Sequence, residues 1–446
     1  MRMVSCAVAA IALAWSVVPS IADSNQRFAL ERSIALPGRG IAVAWSPDGS
    51  QLAAGGHFRG NTVVPQPPKT NFRYDTKVYD VASGALLKNF NCHGFWVVAL
   101  AWADVPALGM DLLADGAGDH AVKVWNSDGP GSTACRTIGQ YLVADGALPE
   151  IAERLVPNKR GGFTIQKRTG LMNINGWILS LAFSPDRRFL AGASKDGSLR
   201  LWQVEPGRNQ WKVVRLWNPR LGDQVTSVSW RPDGRALVTS DRLGRVAVWA
   251  FDPRPVPEGD LWDDATVDDF ADEDSTAYWR WNTRYPDRVR RTPVWFHEAT
   301  RTLKNGSTRV VKTPSWNARY APDGTRVAGV WIDGTFAIFD ERTGAVLHRT
   351  TVTNARGKAV QLHGLDWSPD GDLIAIGASD NLLRIFDAGT GALVDTLAGH
   401  NDIVTAVAWS PDGNRLASTA GGVRVNVENN FDVAGPDTSA IIWRRR

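Results

Sequence analysis

Cysteine is scarce, with three in 446 residues, and one of these, Cys6, lies in an apolar leader. Cys92 and Cys135 remain, and whether they form a disulfide is left open, since spacing alone does not bring two Cβ atoms together. An excess of charge of one sign is also lacking. Lys and Arg number 50 against 46 Asp and Glu, a net charge of +4 that is too small to imply a nucleic-acid partner, and no basic tract interleaves with a nucleic-acid motif. The densest basic patch, Arg288 to Arg291, reads as a solvated loop. Catalytic signatures are missing too: the seven histidines are scattered, and there is no His-Glu-x-x-His, no Gly-x-Ser-x-Gly elbow and no glycine-rich phosphate loop after a strand. Glu258 to Asp274 holds nine carboxylates without Lys or Arg, but it lacks the glycine and the terminal glutamate of a calcium loop and reads as a solvated acidic segment.

Long apolar runs are confined to the start. Arg2 supplies a short positive region, Ala7 to Val18 carries no charge, and Ser20-Ile21-Ala22 offers small residues at a cleavage point. Residues 1–22 are expected to be a signal peptide, too short to stay as a membrane span. The expected mature chain, 23–446, is then periplasmic or extracellular, with no stable membrane span after cleavage.

What is abundant is repetition. Ala44 to Gly55, Ala182 to Ala193 and Asp366 to Gly377 share one phrase, and Ser229 to Val238, Arg319 to Ala328 and Ala408 to Ala417 are variants of it. An apolar run ending in an aromatic, as in Val404 to Trp409, suits a strand buried on both faces. Pro-Asp-Gly follows: proline fixes φ, aspartate bonds nearby backbone, and glycine accepts φ > 0, which makes a hairpin. A second strand, a second turn and a third strand complete a unit of about 40–50 residues, the blade of a β-propeller.

The chain at this point resembles the WD-repeat (tryptophan-aspartate) family. Its last repeat carries most of that pattern, with Gly399-His400, Ser410-Pro411-Asp412-Gly413, Leu416-Ala417-Ser418, and Asp437 six residues before Trp443. The resemblance implies that His400, Ser418, Asp437 and Trp443 form a hydrogen-bonded tetrad fastening the blade. The same gap from aspartate to aromatic recurs at Asp119, Asp196, Asp333 and Asp380, to which it assigns a structural turn role. Most repeats lack the Gly-His, and the second replaces Ser-Pro-Asp-Gly with Ala103-Asp104-Val105-Pro106.

The fold class expected is all-β, a seven-bladed β-propeller of four-stranded antiparallel blades. Blades start near Ile41, Val97, Ile178, Val225, Trp316, Leu362 and Val404. The long spacings in blades 2 and 4 leave eight blades as an alternative. The last repeat lacks an outer strand, which Phe28 to Leu36 can supply, pairing the two ends of the array and removing an open edge. Insertions are expected at about 57–73, 127–176, 253–315 and 421–436, in blades 1, 2, 4 and 7. The first, with three prolines among Val63 to Pro68, reads as a stiff loop, and Glu150 to Lys167 as a short helix and hairpin.

Counting back seven residues from the serine of each turn, or its equivalent, gives Arg39, Trp96, Trp177, Gln224, Gln361 and Ile403. In the resembling family this entry point borders the face used for partners, and the second-turn residues Lys195, His120, Asp119, Arg242 and Asn381 are expected on the same face. Trp96 and Trp177 are expected side by side, where they either contact a peptide or protein or pack beneath a loop. A second candidate patch is Trp279, Trp281, Arg284 and Trp295, in the insertion of blade 4. The function expected is a non-catalytic protein-protein interaction scaffold in the cell envelope, monomeric by itself, with no cofactor or metal and an unknown protein or peptide partner. The alternatives are a propeller enzyme, a hydrolase or lyase with a metal-assisted site in the central channel, or a Tol-system-like envelope propeller.

Overall fold

The computed structural model describes residues 26–66, 69–93, 95–118, 122–128, 141–144, 153–157, 163–167, 177–195, 197, 199–206, 211–217, 224–252, 293–298, 300–302, 308–310, 312–421, 423–425, 431–433 and 437–446. The leader at 1–22, Cys135, Asp119, His120, Asp196 and the acidic and basic stretches of blade 4 lie outside these residues, as does the side chain of Cys92.

The repeating phrase folds into seven four-stranded antiparallel sheets, each running from an inner to an outer strand. The inner strands are Gly40–Trp45, Val97–Val105, Ile178–Phe183, Val225–Trp230, Ser315–Tyr320, Leu362–Trp367 and Val404–Trp409, all within a residue or so of the starts read from the sequence. Blade 7 borrows its outer strand: Phe28–Ala35 pairs antiparallel with Ser439–Arg445, from Phe28 against Arg445 to Ala35 against Ser439. Glu31 braces this seam, accepting from Arg415 at 2.9 Å and Arg444 at 3.1 Å.

The turn chemistry is local and repeated. Asp48, Asp370 and Asp412 each accept the hydroxyl proton of the serine two residues earlier, at 2.5–2.6 Å, and the backbone N–H two residues later. The following glycines, Gly49, Gly371 and Gly413, have φ of 70–76°, which a side chain disfavours. In blade 3 that place is Arg187, at φ 63°. Blade 2, without the phrase, extends its inner strand to Val105 and turns through Pro106 to Gly109.

Packing lies between the blades rather than within them. The buried apolar side chains fall into seven clusters, one for each pair of neighbouring blades. The tryptophan ending an inner strand reaches across: Trp230 Nε1 donates to Ala182 O at 3.0 Å, Trp367 to Arg319 O at 3.2 Å, and Trp45 to Ala408 O at 2.8 Å. One bond thus links blades 4 and 3, another blades 6 and 5, and the last blades 1 and 7.

One insertion differs from expectation. Residues 57–73 form no separate loop: the second and third strands of blade 1 continue as Gln51–Gln66 and Lys69–Asp80, paired out to Gln66 against Lys69. Pro65 pairs with Thr70 near the far end of this ladder, where a missing N–H costs few bonds. In blade 2, Glu153–Pro157 pairs with Phe163–Lys167 as a hairpin, and Tyr141–Ala144 supplies the outer strand.

Candidate functional site at the channel mouth

Each inner strand begins with the same irregularity. Across this point it carries one residue more than the second strand, a bulge that turns an extra side chain out of the ladder. The skipped residues Ile41, Val98, Leu179, Thr226, Trp316, His363 and Thr405 all line the central channel, a cavity of about 230 Å3. Just before each bulge, a carbonyl accepts from the residue that follows the second strand, or in blade 1 from His57 within the long second strand. Arg39 pairs with His57, Trp96 with Gly118, Trp177 with Lys195, Gln224 with Arg242, Pro314 with Ile332, Gln361 with Ser379 and Ile403 with Gly421, at 2.8–3.3 Å. Entry and second-turn residues therefore share one rim.

Six of these entry residues were reached by counting along the sequence. The seventh, Pro314, follows from the same count back from Ala321, whose turn lacks the serine. Not all of the expected side chains reach outward. Ile403 is 2% exposed, so it brings a backbone carbonyl and no side chain to the rim. Arg39 packs over Gly421, where a Cβ would stand 2.4 Å from its own.

Trp96 and Trp177 meet edge to face, 5.9 Å between centroids. Phe95 stacks on Trp96 at 5.3 Å and touches Trp177 at 5.2 Å, and His57 lies 4.9 Å from Trp96. Gly118 makes the shelf possible, because a Cβ there would come within 2.5 Å of Phe95 and 3.1 Å of Trp177. Phe95 is 36% exposed, and both tryptophans are partly so. Lys195 Nζ lies over the Trp177 ring at 5.2 Å. Burial lowers the pKa of Lys195, and the neighbouring charge of Arg242 lowers it further. The shelf is thus an apolar surface edged by two cations.

The tetrad of blade 7 is assembled. His400 Nδ1 lies 3.0 Å from Asp437 Oδ2 and Nε2 lies 2.8 Å from Ser418 Oγ, which accepts from Trp443 Nε1 at 2.9 Å. Blade 2 holds a variant that the search for Gly-His missed. His93 precedes its inner strand by four residues, as His400 does, and Nε2 lies 3.0 Å from Asp115, which stands where Ser418 stands in blade 7. Thr76 of blade 1 donates to the same carboxylate at 2.7 Å. Asp333 and Asp380 keep the six-residue gap but meet other partners: Asp333 accepts from Thr335 N at 3.0 Å, and Asp380 grips Arg384 with both oxygens.

Trp295 is in the outer strand of blade 4, Trp295–Glu298, and its ring packs on Gly344 and Phe339 of blade 5 while Nε1 donates to Glu341 O. It bridges two blades instead of standing in a surface patch. Trp279, Trp281 and Arg284 lie outside the described residues.

With this geometry in place, three stretches match known repeat families. Residues 169–203 and 215–250 match the WD domain, G-beta repeat, and residues 353–412 match the anaphase-promoting complex subunit 4 WD40 domain. These matches support a WD-repeat propeller. Three similar proteins, all eukaryotic, illustrate the likeness. Periodic tryptophan protein 2 of Saccharomyces cerevisiae is 25% identical over 54% of this chain and 37% of its own length. Ribosome biogenesis protein ERB1 of Debaryomyces hansenii is 32% identical over 22% of this chain and 12% of its own. Cell division cycle 20.1, cofactor of APC complex, of Arabidopsis thaliana is 27% identical over 51% of this chain and 39% of its own. The chain thus spans well under half the length of each of these relatives.

Proposed function

We propose that this propeller is a non-catalytic scaffold that docks a protein partner across its rim, at the shelf of Phe95, Trp96 and Trp177 beside Lys195. The observation that carries this reading is a cluster of partly exposed aromatic rings flanked by cations, the residue types that anchor protein interfaces. The relatives support the reading in kind: one is named as a cofactor of a complex and another as a ribosome biogenesis protein.

The chain acts in this proposal as a monomer of a bacterial cell envelope. Export rests on the uncharged run Ala7 to Val18 with its positive start and small-residue end, and the eukaryotic relatives add nothing to it. Mass spectrometry of the chain recovered from a periplasmic fraction checks it: a first residue near Ala22 supports export, and an intact Met1 in the cytoplasmic fraction rejects it.

Photocrosslinking from positions 96 and 177, with exposed Leu347 on an outer strand as control, tests the docking face. Capture of one protein from the rim and not from Leu347 supports it. The same background from all three positions rejects it.

A further inference from the structure

The seven blades are internal controls for one another, because the register of each inner strand against its second strand fixes which residues are equivalent. At the first level below the bulges, the equivalent residues are Ala42, Ala99, Ser180, Ser227, Gly364 and Ala406, and in blade 5 the residue is Asn317. Two residues further in, five blades place Ala or Ser, while blade 5 places Arg319 and blade 6 Asp366. At the bulge itself, blades 5 and 6 contribute Trp316 and His363, set edge to face at 5.9 Å. The small residues of the first level line the channel, and Asn317 and Arg319 line it in blade 5, so one wall departs from the repeat there.

That wall is polar and unsatisfied. Asn317 Oδ1, Arg319 Nε and His363 Nε2 are buried without a hydrogen-bond partner among the described residues, and His363 is 5% exposed. A buried donor or acceptor left unpaired costs free energy, and here three converge on one cavity. Burial takes the His363 pKa down to about 4, so its imidazole is neutral. Burial raises the Asp366 carboxyl against the pull of Arg319 and of the Trp409 and Trp367 amides. Lys195, Arg242 and Arg319 line the cavity, and no Asp or Glu does so among the described residues.

We propose that this wall binds a small organic carboxylate with a planar apolar body. Its carboxylate takes the Arg319 Nε–H, its ring lies against Trp316, and a polar substituent meets Asn317 and His363. The volume of about 230 Å3 is below the roughly 300–1,000 Å3 of drug-sized sites and limits the ligand to about one ring. The inference is independent of the rim reading, since it concerns a small molecule inside the channel.

Fluorine NMR of 4-fluorobenzoate, 4-fluorobenzamide and 4-fluorobenzylammonium with the full chain tests it. Broadening of the benzoate line beyond the other two is expected, with Arg319→Gln weakening benzoate about tenfold or more, as for loss of a charged hydrogen bond. Lys195→Met at the mouth is expected to keep most of the effect. Equal broadening of all three probes overturns the proposal, and so does a benzoate effect lost in Lys195→Met but kept in Arg319→Gln. Should Arg319→Gln fail to fold, Trp316→Leu removes the wall and is read in the same way. Rim crosslinking that survives Arg319→Gln separates this site from partner docking.

Discussion

Trp45 Nε1 donates to the carbonyl oxygen of Ala408 at 2.8 Å, so a side chain of the first blade holds the inner strand of the last. The indole is 6% exposed, and its loss would leave the carbonyl without that donor. Trp45→Phe should lower unfolding free energy by about 1–3 kcal/mol, measured by urea denaturation, and more than Trp102→Phe, whose indole bonds Ser127 within its own blade.

The tetrad gives a sharper loss. Ser418 Oγ meets both the His400 ring and Trp443 Nε1. Ser418→Ala strands both partners and should cost about 2–3 kcal/mol, whereas Ser418→Thr should recover part of it.

Acid should act through Asp437. Burial alone raises this carboxyl, but hydrogen bonds from His400, Ser439 and the Asn401 amide outweigh it and hold the pKa at about 2, against an ordinary 3.8. A folded pKa below the unfolded one stabilises fully above pH 4, and that stability is lost as pH falls from about 4 to 2. The amount is about 2 kcal/mol. The difference in unfolding free energy between the wild type and Asp437→Asn should shrink by that amount between pH 5 and pH 2, and a constant difference would refute the linkage.

Arg187 is a chance to gain stability. It sits at φ 63° where other blades use glycine, and its ion pair with Asp104 is exposed at 3.3 Å, a kind that contributes little. Arg187→Gly should stabilise by about 0.5–1 kcal/mol, read as a higher urea midpoint.

The shelf can be disturbed without touching its rings. Gly118→Ala places a Cβ 2.5 Å from Phe95 and must displace it. Crosslinking from position 177 should fall severalfold while the urea midpoint changes little, and unchanged capture would separate docking from the ring arrangement.

The blades were legible in the sequence because their determinants are local. Asp48 and Gly49 make their turn from neighbours within a few residues. The seam of Phe28–Ala35 was legible for a different reason, since the last repeat is one strand short and an unmatched segment precedes the first. His93 was hidden because Cys92-His93-Gly94 inverts the expected Gly-His, although its distance to Val97 repeats that of His400 to Val404. The channel wall was out of reach for a physical reason: Trp316 reads as the start of a strand until the register shows that its pairing is skipped. Asp333 and Asp380 show the limit of spacing as a guide, since the same six-residue gap serves a turn in one and a guanidinium in the other.

The shared seam also sets a clock on synthesis. Phe28–Ala35 meets its partner strand only when Ser439–Arg445 exists, on the order of 400 residues later, which at about 5–20 residues per second is roughly 20–80 s. Blades 1 to 6 can form in order behind it, but the first strand must wait as an unpaired edge, exposed to any other strand that offers a ladder. The arrival of Ser439–Arg445 therefore decides between a closed ring and a chain whose waiting strand has been taken up by a neighbour.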